Sequence, residues 1–250
     1  MDNSIKIFTF IKDEEIFIID WIEYHANIVG YKNLHIVDNK STDNTINILK
    51  EYEKLGVNVI YDYPDYSLKG EYLSQIMKEL STKCKYLIPI DGDEFIALKT
   101  NEVDYPFILS VDPDKIRYHL RQLQYNGAMY LFYSYICCIS EKSKYDDPLI
   151  EIETFDITLQ KHELMKKFYP SVTFISTDHG NHIGKVKSNF DTILSNLVLF
   201  HYHDVGFDSY IKRIYNDLIG FNYPVDDIEK LKLMLDENPK INGASSIWWC

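Results

Sequence analysis

Cysteine, long apolar runs and positive charge are scarce in this chain, and each shortage excludes a class of protein. Four cysteines in 250 residues do not form a disulfide scaffold, and Cys137 and Cys138 are adjacent, which suits bridging poorly. No apolar run reaches the roughly 18 residues of a membrane-spanning helix, so we expect no membrane span. The formal net charge of −12 argues against binding to nucleic acid or to an anionic membrane, because basic surface supplies most of that affinity.

Two glycine-rich signatures are also absent. The sequence has neither G-x-G-x-x-G after its first apolar run nor G-x-x-x-x-G-K-[ST], so a dinucleotide-dependent dehydrogenase and a P-loop nucleoside triphosphatase are set aside. The opening does not match a signal peptide, because Met1–Asn3 is acidic and Lys12–Glu15 interrupts the first apolar run. We therefore expect a reduced, cytoplasmic protein.

The residues that are present suit one globular domain. Hydrophobic residues make up 46% of the chain and charged residues 26%, and a chain of this length buries a large core without disulfides. We expect a single domain with three parts, residues 1–98, 99–205 and a helical tail at 206–250. The apolar end Ile247–Cys250 is expected to dock on the domain, to cap its site or to contact another subunit in a homo-oligomer.

Strand and helix patterns alternate through the first part of the chain. Helical spacing follows the first run and ends at Gly30, and a second helical pattern ends at Gly56. A third helix is expected at 68–80. The short apolar runs predict strands at Ile5–Ile11, Leu34–Val37, Val57–Tyr61 and Tyr86–Ile90, with Pro89 at the end of the last one. This order predicts an α/β fold with a mostly parallel, doubly wound sheet and helices on both faces.

Acidic residues follow the predicted strands at their carboxyl ends, where such sheets bind ligands. The strongest cluster is Asp91-Gly92-Asp93-Glu94, directly after the fourth strand. Two carboxylates one residue apart, with a glycine between them, offer hard oxygen ligands to Mg²⁺ or Mn²⁺, and such an ion bridges to a substrate diphosphate. An ordinary acidic turn is the alternative, because Asp and Gly are favoured turn residues.

Three motifs in order resemble GT-A glycosyltransferases, near the family 2 and family 92-like branch. The resemblance covers roughly residues 5–98 and continues more weakly to about 215. The motifs are Lys12-Asp13-Glu14-Glu15 with Trp21, Glu23, His25 and Gly30; Asp38-Asn39-x-Ser41-Thr42-Asp43-x-Thr45; and Asp91-Gly92-Asp93-Glu94-Phe95.

The resemblance implies a nucleotide-sugar donor, most often UDP-linked, and a Mn²⁺ or Mg²⁺ ion. Lys12 and Asp13 would line the nucleotide pocket, and Asp38 would accept a hydrogen bond from the base. The base stays open between uracil, guanine and thymine, and the acceptor between a glycan, a protein and a lipid.

The same resemblance assigns the acidic turn. Asp91 would hold the ribose or a metal-bound water and is counted with the metal site, Asp93 would bind the cation, and Glu94 would orient these groups or the donor sugar. Lys69 is a candidate for the phosphates, although a solvated lysine at a helix start is the favoured interpretation.

The second half of the chain gives weaker patterns. Ile116–Gln124 and Met129–Ile139 are expected to be strands, and Lys161–Lys167 a solvated charged stretch. A late histidine completes the metal site in many GT-A enzymes, and Leu199-Phe200-His201-Tyr202 resembles that segment. His201 is therefore the predicted ligand, with His203 second.

A transferase that inverts configuration needs a base for the acceptor hydroxyl. Asp178, in a predicted loop that contains glycine, is the chosen residue, and Asp191 and Glu151 are its rivals. In a retaining enzyme Asp178 would position the acceptor instead.

Three other classes remain as alternatives. A haloacid dehalogenase-type phosphatase also has D-x-D after a strand, but that strand is normally the first, and Phe95 stands where the family has Thr or Val. A sugar nucleotidylyltransferase would carry a glycine-rich N-terminal signature, which is missing here. A non-catalytic module that binds a sugar or a nucleotide is the alternative from a different class.

Overall fold

The structure, a computed structural model, describes residues 5–61, 65–101, 109–123, 127–139, 156–159, 165–187 and 192–205. Side chains are described there except at 134–139, 156–159 and 203–205. Within these ranges the helices α1 to α4 are Ile18–Val29, Thr45–Leu55, Lys69–Leu80 and Pro113–Gln122, and short 3-10 helices lie at Tyr31–Asn33, Tyr66–Leu68 and Ser81–Lys83. The strands β1 to β12 are Ile5–Ile11, Leu34–Asp38, Asn58–Tyr61, Tyr86–Pro89, Glu94–Lys99, Leu109–Ser110, Tyr130–Ile139, Asp156–Leu159, Lys167–Pro170, Phe174–Thr177, Gly184–Val186 and Ile193–Val205.

The first four strands form a parallel unit in the order β3-β2-β1-β4. Every residue of β1, β2 and β4 is buried, as expected for parallel strands covered on both faces. Helices α1, α2 and α3 alternate with these strands along the chain. The predicted order of strands and helices is therefore confirmed, and Pro89 ends β4 as expected.

The alternation of side chains along β1 divides the core into two layers. Ile7 points into the layer that contains Trp21 of α1, whereas Phe8 and Phe10 point into the opposite layer with Met77 of α3. Because successive side chains of a strand point to opposite faces, one strand serves both layers. Helices cover both faces of the sheet, as the sequence predicts.

The sheet continues beyond β4 in the order β9-β7-β12-β5-β6, and β8 pairs with β7. Strands β7, β12 and β6 run in the direction of the first four, whereas β9, β5 and β8 run against them. The sheet is therefore mostly parallel in direction, and the α/β fold class is confirmed. We call the side where β1 to β4 end the carboxyl edge. Strands β9 and β5 begin at this edge, because they are antiparallel to their neighbours.

One element differs from the prediction. Residues 116–122, expected to be part of a strand, belong to the helix α4. Asp112 caps this helix by accepting backbone N–H bonds from Asp114 and Lys115, and Pro113 occupies its first turn, where a missing N–H is harmless. Ile116 and Leu120, four residues apart, are both fully buried, so the apolar spacing has the period of a helix.

The remaining elements agree with the sequence where they are described. Strand β7 lies within the predicted Met129–Ile139, and β12 contains the predicted strand at 197–203. None of the described helices has the length and apolar composition needed to cross a membrane. The division into three parts remains a prediction, and its tail at 206–250 lies outside the described residues.

Candidate functional site

The turn from Asp91 to Glu94 joins β4 to β5 at the carboxyl edge. The N–H of Asp91 donates to Glu94 Oε2 at 2.7 Å, and the N–H of Glu94 donates to the Asp91 carbonyl at 3.2 Å. The indole N–H of Trp21 donates to the same carbonyl at 3.0 Å. A side chain at Gly92 would lie 2.8 Å from the Ile11 side chain, so only glycine fits this position without a shift. These hydrogen bonds and the close approach of Gly92 to Ile11 therefore fix the conformation of the turn.

Two lysines hold the carboxylate of Asp91. Lys69 Nζ lies 2.8 Å from Asp91 Oδ1, and Lys166 Nζ lies 2.6 Å from Asp91 Oδ2. Burial favours the neutral acid, but the two ammonium groups outweigh it and hold the pKa of Asp91 well below its ordinary value. Burial likewise opposes charge on both lysines, yet Asp91 raises the pKa of each above its ordinary value. The Asp91 carboxylate is anionic between two cations.

Glu94 is the most deeply buried carboxylate of the turn, with 1% of its surface exposed. Its Oε1 lies 3.4 Å from Lys166 Nζ and 3.6 Å from His201 Nδ1. Burial raises the pKa of Glu94, and Lys166 only partly opposes this rise. Glu94 therefore links the lysine on one side of the turn to the histidine on the other.

Asp93 meets His201 across the sheet. His201 Nε2 lies 3.2 Å from Asp93 Oδ2, and the N–H of Tyr202 donates to the Asp93 carbonyl at 2.9 Å. The pairing of β12 with β5 sets His201 opposite Glu94, and this brings His201 next to Asp93, 108 residues earlier in the sequence. Burial opposes protonation of His201, but Asp93 outweighs it and raises the pKa of the imidazole to about 9. When His201 is protonated, its positive charge balances the negative charge of the Asp93 carboxylate.

The donor atoms of Asp93 and His201 fit a divalent cation in chemical type. A carboxylate oxygen and an imidazole nitrogen are ligands that Mn²⁺ accepts. Among the described residues, no group of three or more His, Cys, Asp or Glu side chains is arranged to hold a metal ion. Asp91, which the sequence also assigns to the metal, has both of its oxygens next to lysine ammonium groups.

The loops after β1 and β2 are bound to each other. Asp13, with a φ of 58°, accepts the N–H of Thr42 at 2.5 Å and donates its own N–H to Ser41 Oγ at 2.8 Å. Glu15 accepts the N–H of Asn44 at 3.0 Å. The predicted nucleotide-pocket residue Asp13 therefore fixes one loop to the next in this conformation. No contact is described for the other predicted pocket residue, Lys12, which is partly buried.

Asp38, at the end of β2, lies beneath these loops and is fully buried. Its Oδ2 accepts the N–H of Ser41 at 3.3 Å, and its Oδ1 has no hydrogen-bond partner among the described residues. Burial raises the pKa of Asp38 although the Ser41 bonds oppose this. A buried acceptor without a partner is unfavourable, so this oxygen is a candidate for a ligand hydrogen bond.

Asp178 lies in the turn between β10 and β11, which pair as a separate two-stranded sheet. Its Oδ1 accepts the N–H of Ile183 at 2.9 Å. The turn packs against the start of α3, where a side chain at Gly70 would come within 2.5 Å of the Asp178 carbonyl carbon. The next residue, His179, packs edge-on against Tyr66 with ring centroids 4.6 Å apart. The turn therefore lies beside the helix that supplies Lys69.

The sequence alone does not identify Lys166 as a site residue, and it favours a solvated position for Lys69. The prediction of a solvated stretch at 161–167 is wrong at Lys166, which has 2% of its surface exposed. The favoured interpretation of Lys69 as a solvated lysine is also wrong, because this residue has 6% of its surface exposed. Both are buried because Asp91 lies between them and compensates the charge of each. Position 166 lies just before β9, whose second and third residues are Phe168 and Tyr169, and this nearby aromatic pair is a local signal of burial.

The remaining candidate residues lie outside the part of the chain that the structure describes. Asp191 and Glu151, the rival bases, are not among the described residues, and the side chain of His203 is likewise undescribed.

The chain matches no protein-family model and no curated protein sequence. In fold it is similar to residues 1–349 of TarS from S. aureus, at 12% identity over 96% of this chain and 72% of that one, with a TM-score of 0.48. The same TarS fragment in complex with UDP gives 13% identity over the same shares and a TM-score of 0.45.

A third similar structure is glucosyl-3-phosphoglycerate synthase from Mycobacterium tuberculosis, in complex with Mn²⁺, UDP and glucosyl-3-phosphoglycerate. It has 16% identity over 89% of this chain and 81% of that one, with a TM-score of 0.43. UDP, Mn²⁺ and glucosyl-3-phosphoglycerate are ligands of those proteins.

Proposed function

We propose that this chain is a metal-dependent GT-A type glycosyltransferase. It transfers a hexose or N-acetylhexosamine from a UDP-sugar to an acceptor hydroxyl of a glycan, protein or lipid, with inversion. The observation that carries the proposal is the contact of Asp93 with His201 at 3.2 Å on the carboxyl edge. It joins the D-x-D turn to the late histidine, the two parts of the predicted metal site that lie farthest apart in sequence.

Asp93 and His201 would hold Mn²⁺ or Mg²⁺, and diphosphate and water oxygens would complete the ligand set. When bound, the cation neutralises charge on the departing nucleotide diphosphate. Lys69 adds positive charge at the same edge from the start of α3. Glu94 orients His201 through its contact with Nδ1, which leaves Nε2 directed to Asp93.

The loops after β1 and β2 would bind the nucleoside. Asp38 Oδ1 is the proposed acceptor for the N–H of uracil, because it is buried and has no hydrogen-bond partner among the described residues. The base reaches it only if the loop of Ser41 and Thr42 shifts, since Asp38 is closed off from solvent in this conformation. Lys12 and Asp13 lie in the loop that would move with it, because Asp13 is bound to Thr42.

Asp178 is the proposed general base. Its carboxylate is partly exposed and has Oδ1 anchored by the N–H of Ile183, so the group is oriented while still reachable. A base of this kind takes the proton of the acceptor hydroxyl as the anomeric carbon is attacked, which requires an approach within about 3 Å. The packing of the turn against Gly70 holds the base near the helix of Lys69.

A panel of UDP-, GDP- and dTDP-sugars, each with and without Mn²⁺, tests this proposal. The expected result is a thermal shift with one nucleotide that requires Mn²⁺, together with Mn²⁺-dependent release of the nucleoside diphosphate. Asp93→Ala should abolish both effects, whereas Asp114→Ala, at a highly exposed position of α4, should abolish neither. Nucleotide binding that ignores both the metal and Asp93→Ala would favour a non-catalytic binding module instead.

A further inference from the structure

Lys166 is a buried lysine whose ammonium group touches two carboxylates of the acidic turn. It has 2% of its surface exposed, and its Nζ lies 2.6 Å from Asp91 Oδ2 and 3.4 Å from Glu94 Oε1. A charge removed from water to this extent is retained only when compensating groups surround it. Lys166 directly precedes β9, which runs against β4 and so begins at the carboxyl edge.

Lys69 completes the arrangement from the other side of Asp91. Its Nζ lies 2.8 Å from Asp91 Oδ1, so each oxygen of this carboxylate faces a different ammonium group. A divalent cation that approached Asp91 would have to displace one of them and would leave a buried lysine next to the new positive charge. Both consequences are unfavourable.

We propose that Lys166 is a positioning residue that, with Lys69, withholds Asp91 and Glu94 from the metal, so that the cation is held on the protein by Asp93 and His201 alone. This inference rests on the proposed metal-dependent function. Lys166 thereby determines how many carboxylates the cation meets, and through Glu94 it fixes the orientation of His201.

The formal charges of the site predict weak binding of the cation in the absence of nucleotide. Asp91, Asp93 and Glu94 carry a formal charge of −3 when ionised, and Lys69 and Lys166 reduce the sum to −1, with His201 counted as neutral because an imidazole loses its proton when it ligates a metal. A site with one net negative charge and two protein ligands binds a divalent cation weakly by itself, because affinity rises with the number of charged ligands. The diphosphate of the donor supplies further oxygens and charge. The cation and the nucleotide therefore bind cooperatively, each raising the affinity for the other by the same factor.

The experiment measures Mn²⁺ binding to the full chain, without nucleotide and with saturating UDP, by the electron spin resonance signal of free Mn²⁺. Lys166→Met should bind Mn²⁺ alone about tenfold more tightly than the wild type, because Asp91 and Glu94 become available as ligands. It should also lose most of the gain in affinity that UDP provides. Lys166→Arg retains the charge and should restore the wild-type values, and Lys185→Met, at an exposed lysine of β11, serves as the matched control.

A purely structural role for Lys166 predicts the opposite sign. In that case Lys166→Met would weaken Mn²⁺ binding, or leave it unchanged, while lowering the melting temperature, and the inference would be overturned. If Lys166→Met does not fold, Asp91→Asn decides the question: Mn²⁺ affinity without nucleotide should fall by less than tenfold, because only a charge beside the cation is lost, and a loss of tenfold or more would identify Asp91 as a ligand. A wild-type chain that binds no Mn²⁺ even with UDP would refute the proposed function, and this inference with it.

Discussion

Two buried histidines should make the protein sensitive to mild acid. Protonation of His25 and His35 is unfavourable in the folded chain, where burial lowers the pKa of each to about 3. His25 Nδ1 contacts the Trp21 carbonyl at 2.8 Å, and Nε2 has no hydrogen-bond partner among the described residues, so a second proton would have no acceptor there. His35 Nε2 lies 3.1 Å from Lys6 Nζ, and a proton at this nitrogen would repel the ammonium group.

Proton linkage determines the sign and the size of this loss of stability in acid. In the unfolded chain both imidazoles titrate near their ordinary pKa of 6.5, so below this pH the unfolded state binds more protons than the folded state. The stability contribution is therefore present above pH 6.5 and is lost progressively as the pH falls toward 3. Between pH 7 and pH 5 each histidine lowers the free energy of unfolding by about 2 kcal/mol, or about 4 kcal/mol for the pair.

Urea unfolding at pH 7 and pH 5 measures this loss. His25→Phe suits the aromatic surroundings of Tyr24 and Phe95, and His35→Gln keeps an acceptor for Lys6. Each variant should remove about 2 kcal/mol of the difference between the two pH values, whatever its own stability. Because the comparison is a difference of differences, carboxylates elsewhere cancel. Variants that retain the full wild-type loss would refute the assignment of the two histidines as neutral in the folded state.

Three further substitutions test other parts of the structure. Gly70→Ala should lower the free energy of unfolding by about 2 kcal/mol in a urea titration, because the new methyl group would lie 2.5 Å from the Asp178 carbonyl carbon; an unchanged value would contradict this close packing. Asp112→Ala should lower it by about 1 kcal/mol, since two backbone N–H groups at the start of α4 lose their acceptor, and Asp112→Asn should recover most of the loss. His201→Ala should abolish the proposed Mn²⁺-dependent binding of UDP in calorimetry while the circular dichroism stays unchanged; retained binding would refute the assignment of His201 to the proposed metal site.

The parallel half of the fold could be predicted because its signals are local. Each of its strands is a short apolar run, and glycines at positions 30 and 56 end the two helices that follow β1 and β2. The segment at 116–122 was misassigned because Ile116, Tyr118 and Leu120 alternate with the period of a strand, while Ile116 and Leu120 also have helical spacing. Tyr118 is 66% exposed, which resolves the ambiguity in favour of a helix with one buried stripe.

The candidate site divides in the same way. The acidic turn was found from sequence because its residues are consecutive and follow a strand. Lys166 was missed because a lysine next to another lysine has the pattern of a solvated surface, and only the pairing of β9 with β4 reveals its two carboxylate partners. Burial of a charge depends on contacts across the sheet, and no local pattern encodes them.

Strand direction explains why the site combines acids and bases from distant parts of the chain. In a purely parallel sheet only strand ends would meet at the carboxyl edge, as Asp38 and Asp91 do. The antiparallel strands β5 and β9 begin at the same edge, where Glu94 is the first residue of β5 and Lys166 directly precedes β9. Because Lys166 directly precedes β9, a shift in the pairing of β9 by one residue would move Lys166 away from Asp91 and bring Met165 or Lys167 to its place. The register of one short antiparallel strand therefore determines which side chain faces Asp91 and Glu94 beside the proposed metal site.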